Sequence, residues 1–279
     1  MSEDDAAAVP PATVLVEFGL DGPVQRLPGG EGTCVRVGDV VLKPAGDDAV
    51  AVWTTGVLAS LAGSHDFRVP DPIRATSGAF VVDGWTATRY VPGEPGPDGR
   101  WAEILAAGRS FHQALRDVER PPVLGRRVDP WARADQVAWG EADVGVPAHV
   151  ATVLQRLRDV VGPVRARPQL VHGDLTGNVL FAPGQPPVII DFSPYWRPVG
   201  YADAIVAADG LLYHDAGDEL VALAVPGPVG AQLLVRAVIF RLVTFALLTG
   251  GEGESAAGEL ARFERVAEIA AERVAHGSR

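Results

Sequence analysis

The sequence predicts an α+β protein of two lobes: a small β-rich amino-terminal lobe with one helix, and a larger, mainly helical carboxy-terminal lobe. Three observations predict it. From Leu15 to about Tyr90 the chain runs as short β-rich stretches separated by turn signals. Beyond a Pro/Gly-rich connector at Val91–Gly99, the apolar spacing becomes helical. Inside that helical part, two short β-rich runs, Gln169–Val171 and Pro187–Ile190, each lead into a loop bearing carboxylates. The expected division is residues 1–14 as a disordered or loosely packed end, 15–91 as the first lobe and 92–279 as the second.

The elements follow in order. Val24–Leu27 reads as a strand, and the turn PGGEG (Pro28 to Gly32) leads into a second. Thr33–Val37 and Val40–Leu42 flank Gly38-Asp39, a hairpin signal, and Lys43 ends the second of these strands. Asp47-Asp48 is placed to cap a helix through Val50–Leu61, which carries Trp53, Val57, Leu58 and Leu61. A further hairpin is expected around Asp83-Gly84. Trp101–Leu115 has helical spacing, with Ile104, Leu105, Phe111 and Leu115 on one face. The chain closes on two helices, about Val229–Leu248 and Ser255–Val274. The first is the longest apolar run, but Gln232, Arg236 and Arg241 interrupt it. Two arginines near the middle of a span are costly in lipid, so it reads as a buried helix of the larger lobe and no membrane partner is expected.

Composition narrows the function classes. Hydrophobic residues make up 47% and charged residues 21%, as in an ordinary globular chain. The opening MSEDDAAAVPPA lacks the basic-then-apolar order of a secretory signal. With one cysteine, Cys34, no intramolecular disulfide can form, and the six histidines show no zinc-ligand spacing. A cytoplasmic location is expected. The net charge of −11 argues against a nucleic-acid partner, which needs clustered basic charge. Of 24 basic residues, only Lys43 is a lysine, a bias that suits a GC-rich genome. A compact ammonium does what a planar guanidinium does not, especially against phosphate oxygens, so the lone lysine invites a role.

The chemistry concentrates in LVHGDLTGNVLF (Leu170 to Phe181) and VIIDFS (Val188 to Ser193). Asp174 and Asn178 lie four residues apart, and Asp191 follows thirteen residues later. Phosphoryl transfer to an alcohol needs a carboxylate to accept the hydroxyl proton. It also needs oxygen ligands for Mg²⁺, shared with substrate phosphates. A plain strand–turn–strand with polar turn residues is the alternative.

This arrangement resembles the aminoglycoside phosphotransferase and choline kinase branch of the protein-kinase-like superfamily. The loop here has one residue fewer between Asp174 and Asn178 than the H-G-D-x-x-x-x-N of that branch. The resemblance implies a two-lobed kinase-like fold that moves the γ-phosphate of ATP, or GTP, to a hydroxyl of a small molecule. It implies Asp174 as catalytic base, Asn178 and Asp191 as Mg²⁺ ligands, and His172 as a brace of the loop. Lys43 would be the nucleotide lysine, and Gly29, Gly30 and Gly32 of PGGEG the loop over the phosphates, although a plain hairpin turn fits that string equally. The string ATRYVPGE would be the hinge, with adenine bonded to main-chain groups near Arg89 and Val91. Asp203 would buttress the catalytic loop, and GRSFHQAL, with His112, would form the helix behind it.

Two departures stand out. Ala49–Leu61 contains no glutamate to pair with the lysine, which leaves Asp47 or Asp48 as substitutes. Ser193 stands where a glycine is usual, and Pro194–Pro198 is expected to form a stiff aromatic loop in which Trp196 and Arg197 either contact substrate or only pack. Trp131, Asp135, Trp139 and Glu141 either receive a cationic or sugar-like acceptor or form a helix with buried tryptophans. A catalytically weak nucleotide-binding module is the rival to an active small-molecule kinase. The acceptor and the oligomeric state are not read from the sequence.

Overall fold

The structure, a computed structural model, describes residues 9–27, 32–61, 64–250 and 254–277. The elements begin with α1 (Ala12–Glu17), β1 (Gln25–Arg26), β2 (Val35–Val37), β3 (Val40–Pro44), α2 (Asp48–Ser60) and β4 (Pro72–Ile73). They continue with β5 (Val81–Val82), β6 (Trp85–Arg89), β7 (Glu94–Pro95), α3 (Trp101–Ala114), α4 (Pro130–Ala138) and α5 (Ala148–Asp159). Next come β8 (Gln169–His172), β9 (Val179–Phe181), β10 (Val188–Ile189) and β11 (Pro194–Arg197). The chain ends in α6 (Val199–Tyr213), α7 (Asp218–Ala224), α8 (Gly227–Thr249) and α9 (Glu254–Gly277). A mixed architecture results, β-rich at the amino-terminal end and helical beyond. It divides into two compact units, Met1–Pro95 with Val179–Phe192, and Gly96–Asn178 with Ser193–Arg279.

The first unit is built on an antiparallel sheet of order β1-β2-β3-β6-β4, with β5 on β6. The Gly38-Asp39 turn pairs Val37 with Val40, and Asp83 and Gly84 both take positive φ (45° and 74°) at the tip joining β5 to β6. Alternation along β2 and β3 turns Val35, Val37, Val40 and Leu42 into one core with Trp85 and Ala87. The α1 helix closes that core with fully buried Val14 and with Phe18. It stands where a loose end and short strands were expected from sequence. Six residues are too few for a 3.6-residue period to register, and the unit holds α1 through its partners: Thr13 Oγ1 donates to Asp83 Oδ2 at 2.6 Å. Val179–Phe192 also belongs here rather than with the helices. β9 pairs with β7 and β10, and Arg68 N–H donates to the Pro187 carbonyl while Ile189 N–H donates to that of Arg68.

The second unit packs α4, α6, α8 and α9 around one another. The α6 and α8 helices are buried nearly all round, which explains their apolar sequences. α8 is long and apolar enough to cross a bilayer, yet 78% of its most apolar window is buried within the protein. Arg236, one of its two charges, is held locally, donating through Nη2 to the Gly162 carbonyl at 2.9 Å, while its buried Nε has no partner among the described residues. PYWR is not a loop. It is strand β11, antiparallel to β8, with Pro194 opposite His172 and Arg197 opposite Gln169. A proline as first residue of a strand is compatible with pairing, so its presence did not forbid the strand.

Candidate active site

In the second unit, β8 carries the chain into the acidic loop, and its end is fixed from two sides. His172 is fully buried. Its backbone N–H donates to His112 Nε2 of α3 at 3.0 Å, and its Nδ1 accepts from the Asp174 N–H at 3.1 Å and the Ser193 N–H at 3.4 Å. Burial, and secondarily the nearby His172, push the His112 pKa down to about 3, so this ring is neutral and accepts at Nε2. Gly173 has no alternative: a Cβ there would lie 2.4 Å from Cδ2 of buried Tyr195. The loop then turns, with the Asn178 N–H donating to the Leu175 carbonyl at 3.0 Å and Gly177 at φ 81°.

That turn brings Asn178 back onto Asp174. Asn178 Nδ2 donates to the Asp174 carbonyl at 2.7 Å and to its Oδ2 at 3.1 Å. With the amide hydrogens so directed, Asn178 Oδ1 remains the oxygen for a cation. On the other side, Arg241 Nη2 of α8 donates to Asp174 Oδ1 at 2.7 Å, while its Nε and Nη2 fork onto Asp209 of α6 at 2.6 and 2.7 Å. Burial pushes the Asp209 carboxyl up while Arg241 pulls it down. These three charged groups form one wall of a cavity of about 480 Å³, whose other lining includes Tyr213, Phe245 and Glu259. A cavity of about 670 Å³ at α7 and α9 has none of the loop residues in its lining, so the chemistry is assigned to the smaller one.

In the first unit, Lys43 Nζ of β3 meets Asp191 Oδ1 at 2.8 Å across 148 residues of sequence. Asp191 follows β10 and sits in the left-handed region, φ 51°, which a short polar side chain tolerates. Both side chains remain partly exposed, 43% and 30%, so the pair contributes only ~0–1 kcal/mol and a phosphate can exchange for it at small cost. Asp47 is otherwise engaged, capping α2 through the Val50 N–H at 3.0 Å. Gly32, at φ 68°, is at the edge of the described chain, and Gly29 and Gly30 lie outside the described residues. The Arg89 N–H donates to the Asp71 carbonyl and its guanidinium pairs with Asp39, which leaves neither group for adenine. Val91 is half-buried in the segment before β7.

Two expected roles change. Asp203 does not reach the acidic loop: its Oδ2 accepts from Arg109 Nε of α3 at 2.7 Å, and its Oδ1 is buried without a partner among the described residues. One turn and a half further along α6, Asp209 occupies the supporting position. Arg197 is not presented to a substrate. It donates to both oxygens of Asp135 and of Glu141, at 2.5 to 3.2 Å, and covers the Trp139 ring at 4.9 Å. Asp135 and Glu141 thereby share the Arg197 guanidinium within the fold. Trp196, opposite Leu170 on β11, is half-buried. The sequence offers Asp209 and Arg241 only indirectly. Each is one of two like charges inside an apolar helix, and buried charges of opposite sign on two such helices must find partners.

The sequence profile of the phosphotransferase enzyme family (APH) matches residues 42–195, more than half of the chain. No curated protein matches it significantly by sequence. Among solved structures, the fold is similar to spectinomycin phosphotransferase APH(9)-Ia in complex with ADP and spectinomycin, at 16% identity and TM-score 0.57, over 94% of this chain and 97% of that one. It is similar also to a choline/ethanolamine kinase family protein from Mesorhizobium loti, at 18% identity and TM-score 0.58, over 93% and 94% of the two chains. A thermostable mutant of aminoglycoside phosphotransferase APH(4)-Ia, in a ternary complex with ADP and hygromycin B, matches at 16% identity and TM-score 0.54, over 92% and 97%. At such identities these neighbours speak for the fold, and the profile match speaks for descent: the chain belongs to the APH phosphotransferase enzyme family.

Proposed function

We propose that the protein transfers the γ-phosphate of ATP to a hydroxyl group of a small molecule seated in the 480 Å³ cavity. The observation that carries this reading is the placement of Asp174 on the cavity wall, held on Oδ1 by Arg241 and more loosely on Oδ2 by Asn178. Each carboxylate oxygen has two lone-pair directions, so Oδ2 retains one for an acceptor hydroxyl. In the reaction, Asp174 Oδ2 takes the hydroxyl proton as the acceptor oxygen bonds to the γ-phosphorus. The bond between that phosphorus and the β–γ bridging oxygen breaks, ADP leaves with the electron pair, and Asp174 returns its proton to solvent. Lys43 exchanges part of its contact with Asp191 for nucleotide phosphate oxygens. Asn178 Oδ1 in the second unit and the Asp191 carboxylate in the first would each offer Mg²⁺ a hard oxygen donor of the kind that ion takes. When bound, the ion supplies neutralisation of phosphate charge. Most of the rate gain then comes from positioning and electrostatics.

The test is ADP formation from Mg²⁺ATP, with GTP as a second donor, over a panel of spectinomycin, hygromycin B, choline, ethanolamine, amino-sugars and nucleosides. Phosphorus NMR identifies the product. A phosphate monoester of one panel member is the expected result. The second reading, a nucleotide-binding regulatory module, is favoured by the Lys43–Asp191 pair, which stands where a helix glutamate was sought. Tight Mg²⁺ATP binding with no turnover on any alcohol would establish it instead.

A further inference from the structure

Asp209 and Arg241 stand in sequences that leave little room for a charge. AIVAADGLL (Ala204–Leu212) and AVIFRLVTF (Ala237–Phe245) are apolar around both residues and buried along almost their whole length. An unpaired carboxylate or guanidinium in either helix would be strongly disfavoured. The fork from Arg241 Nε and Nη2 to the two oxygens of Asp209 answers that need completely: one charge meets one charge in the bidentate geometry that guanidinium and carboxylate share. The third bond, from Nη2 to Asp174 Oδ1 at 2.7 Å, is therefore not required to bury Arg241. Nor is it required by Asp174, whose side chain is 41% exposed and open to water. The fork instead sets the plane of the guanidinium, and the hydrogen of Nη2 that it leaves over points at Asp174.

We propose that Arg241, aligned by Asp209, is a positioning residue that fixes the Asp174 carboxylate through Oδ1 and so reserves Oδ2 for the acceptor hydroxyl. The proposal rests on Asp174 being the base, and it names what keeps that base in one orientation in a loop with a solvent-exposed side. Asn178 cannot do this alone. Its bond to Oδ2 is the longer one, at 3.1 Å, and it falls on the oxygen that the reaction uses. The rigid partner comes from a helix buried in the unit, and a planar fork transmits orientation in a way that a flexible ammonium does not.

Four variants test it: Arg241→Gln, Arg241→Lys, Asp209→Asn, and the double Arg241→Gln/Asp209→Asn. The double variant removes both charges together, so neither is left buried without its partner, and it guards against simple loss of folding. Arg236→Gln on the same helix serves as the control for damage to α8. ADP formation from Mg²⁺ATP, with the best panel acceptor and with water, should fall about 100-fold in kcat for Arg241→Gln while KM for ATP stays within about two-fold. Arg241→Lys should recover part of the loss, and Arg236→Gln should leave kcat unchanged. Crystal structures should show Asp174 in one conformer in the wild type and in several in the double variant. Wild-type kcat in the double variant, or a single unchanged Asp174 conformer there, would overturn the proposal. If Asp174→Asn also retains full turnover, it is the assignment of the base that fails. If no acceptor is turned over at all, the conformer comparison still decides whether Arg241 holds Asp174.

Discussion

One buried ring should contribute a separable part of the protein's acid sensitivity. His112 is fully buried, accepts the His172 N–H through Nε2, and has its pKa pushed from 6.5 down to about 3. Its folded pKa is depressed, so the neutral ring contributes stability that is complete above about pH 6.5 and is lost as pH falls, because the unfolded chain gains the proton first. Between pH 7.5 and pH 5.0 the linkage relation, with values of 6.5 unfolded and 3 folded, gives a loss of about 2 kcal/mol. In a chain of this size that corresponds to roughly 4–8 °C in Tm. The perturbation is His112→Gln, whose amide oxygen can take the same N–H without titrating. Urea unfolding of both proteins at the two pH values isolates the ring, since every other titrating group cancels in the difference. The variant should lose about 2 kcal/mol less than the wild type over this interval. Equal losses would refute the placement of a neutral histidine beneath the acidic loop.

Other predictions follow from the charged pairs of the second unit. Arg197→Met leaves Asp135 buried without its partner, and stability should fall by about 3 kcal/mol while KM for the acceptor is unchanged; a raised KM at unchanged Tm would return Arg197 to the substrate. Asp203, raised to about 6 by burial against the opposing pull of Arg109, behaves oppositely to His112: its protonated form is favoured in the fold, and stability drains as pH rises from about 4 to 6. Asp203→Asn, which still accepts from Arg109, should therefore match the wild type at pH 4 and exceed it by roughly 2–3 kcal/mol at pH 7, measured by urea unfolding.

The fold class and the family were readable because they rest on local signals. Hairpins at Gly38-Asp39 and Asp83-Gly84, the cap at Asp47, the helical periods of α3 and α9 and the long apolar run of α8 all lie within a few residues of their causes. Short elements were not readable. The α1 helix is six residues long, and β11 begins with a proline and shows no alternation until β8 is beside it. Pairings across long separations were hidden for the same reason. Lys43 could be singled out by its chemistry, but its contact with Asp191 is a product of the folded unit. Arg197 stood open between substrate contact and packing because nothing in its neighbourhood names Asp135 and Glu141 as its partners, 62 and 56 residues away. Asp209 and Arg241 announced themselves only as charges in apolar helices, a signal that demands a partner without saying which. The departure at Asp203 has the same origin: counting along α6 cannot tell which of its two buried aspartates faces the loop.

The central claim is that Asp174 accepts the proton of a hydroxyl that receives phosphate. It is tested most directly by single-turnover phosphate transfer from Mg²⁺ATP to the best acceptor in wild type and Asp174→Asn. The variant keeps the shape of the side chain but lacks the basic oxygen. A fall in the transfer rate of about 10²–10⁴-fold, with ATP binding intact, is the predicted result. Transfer at the wild-type rate would contradict it.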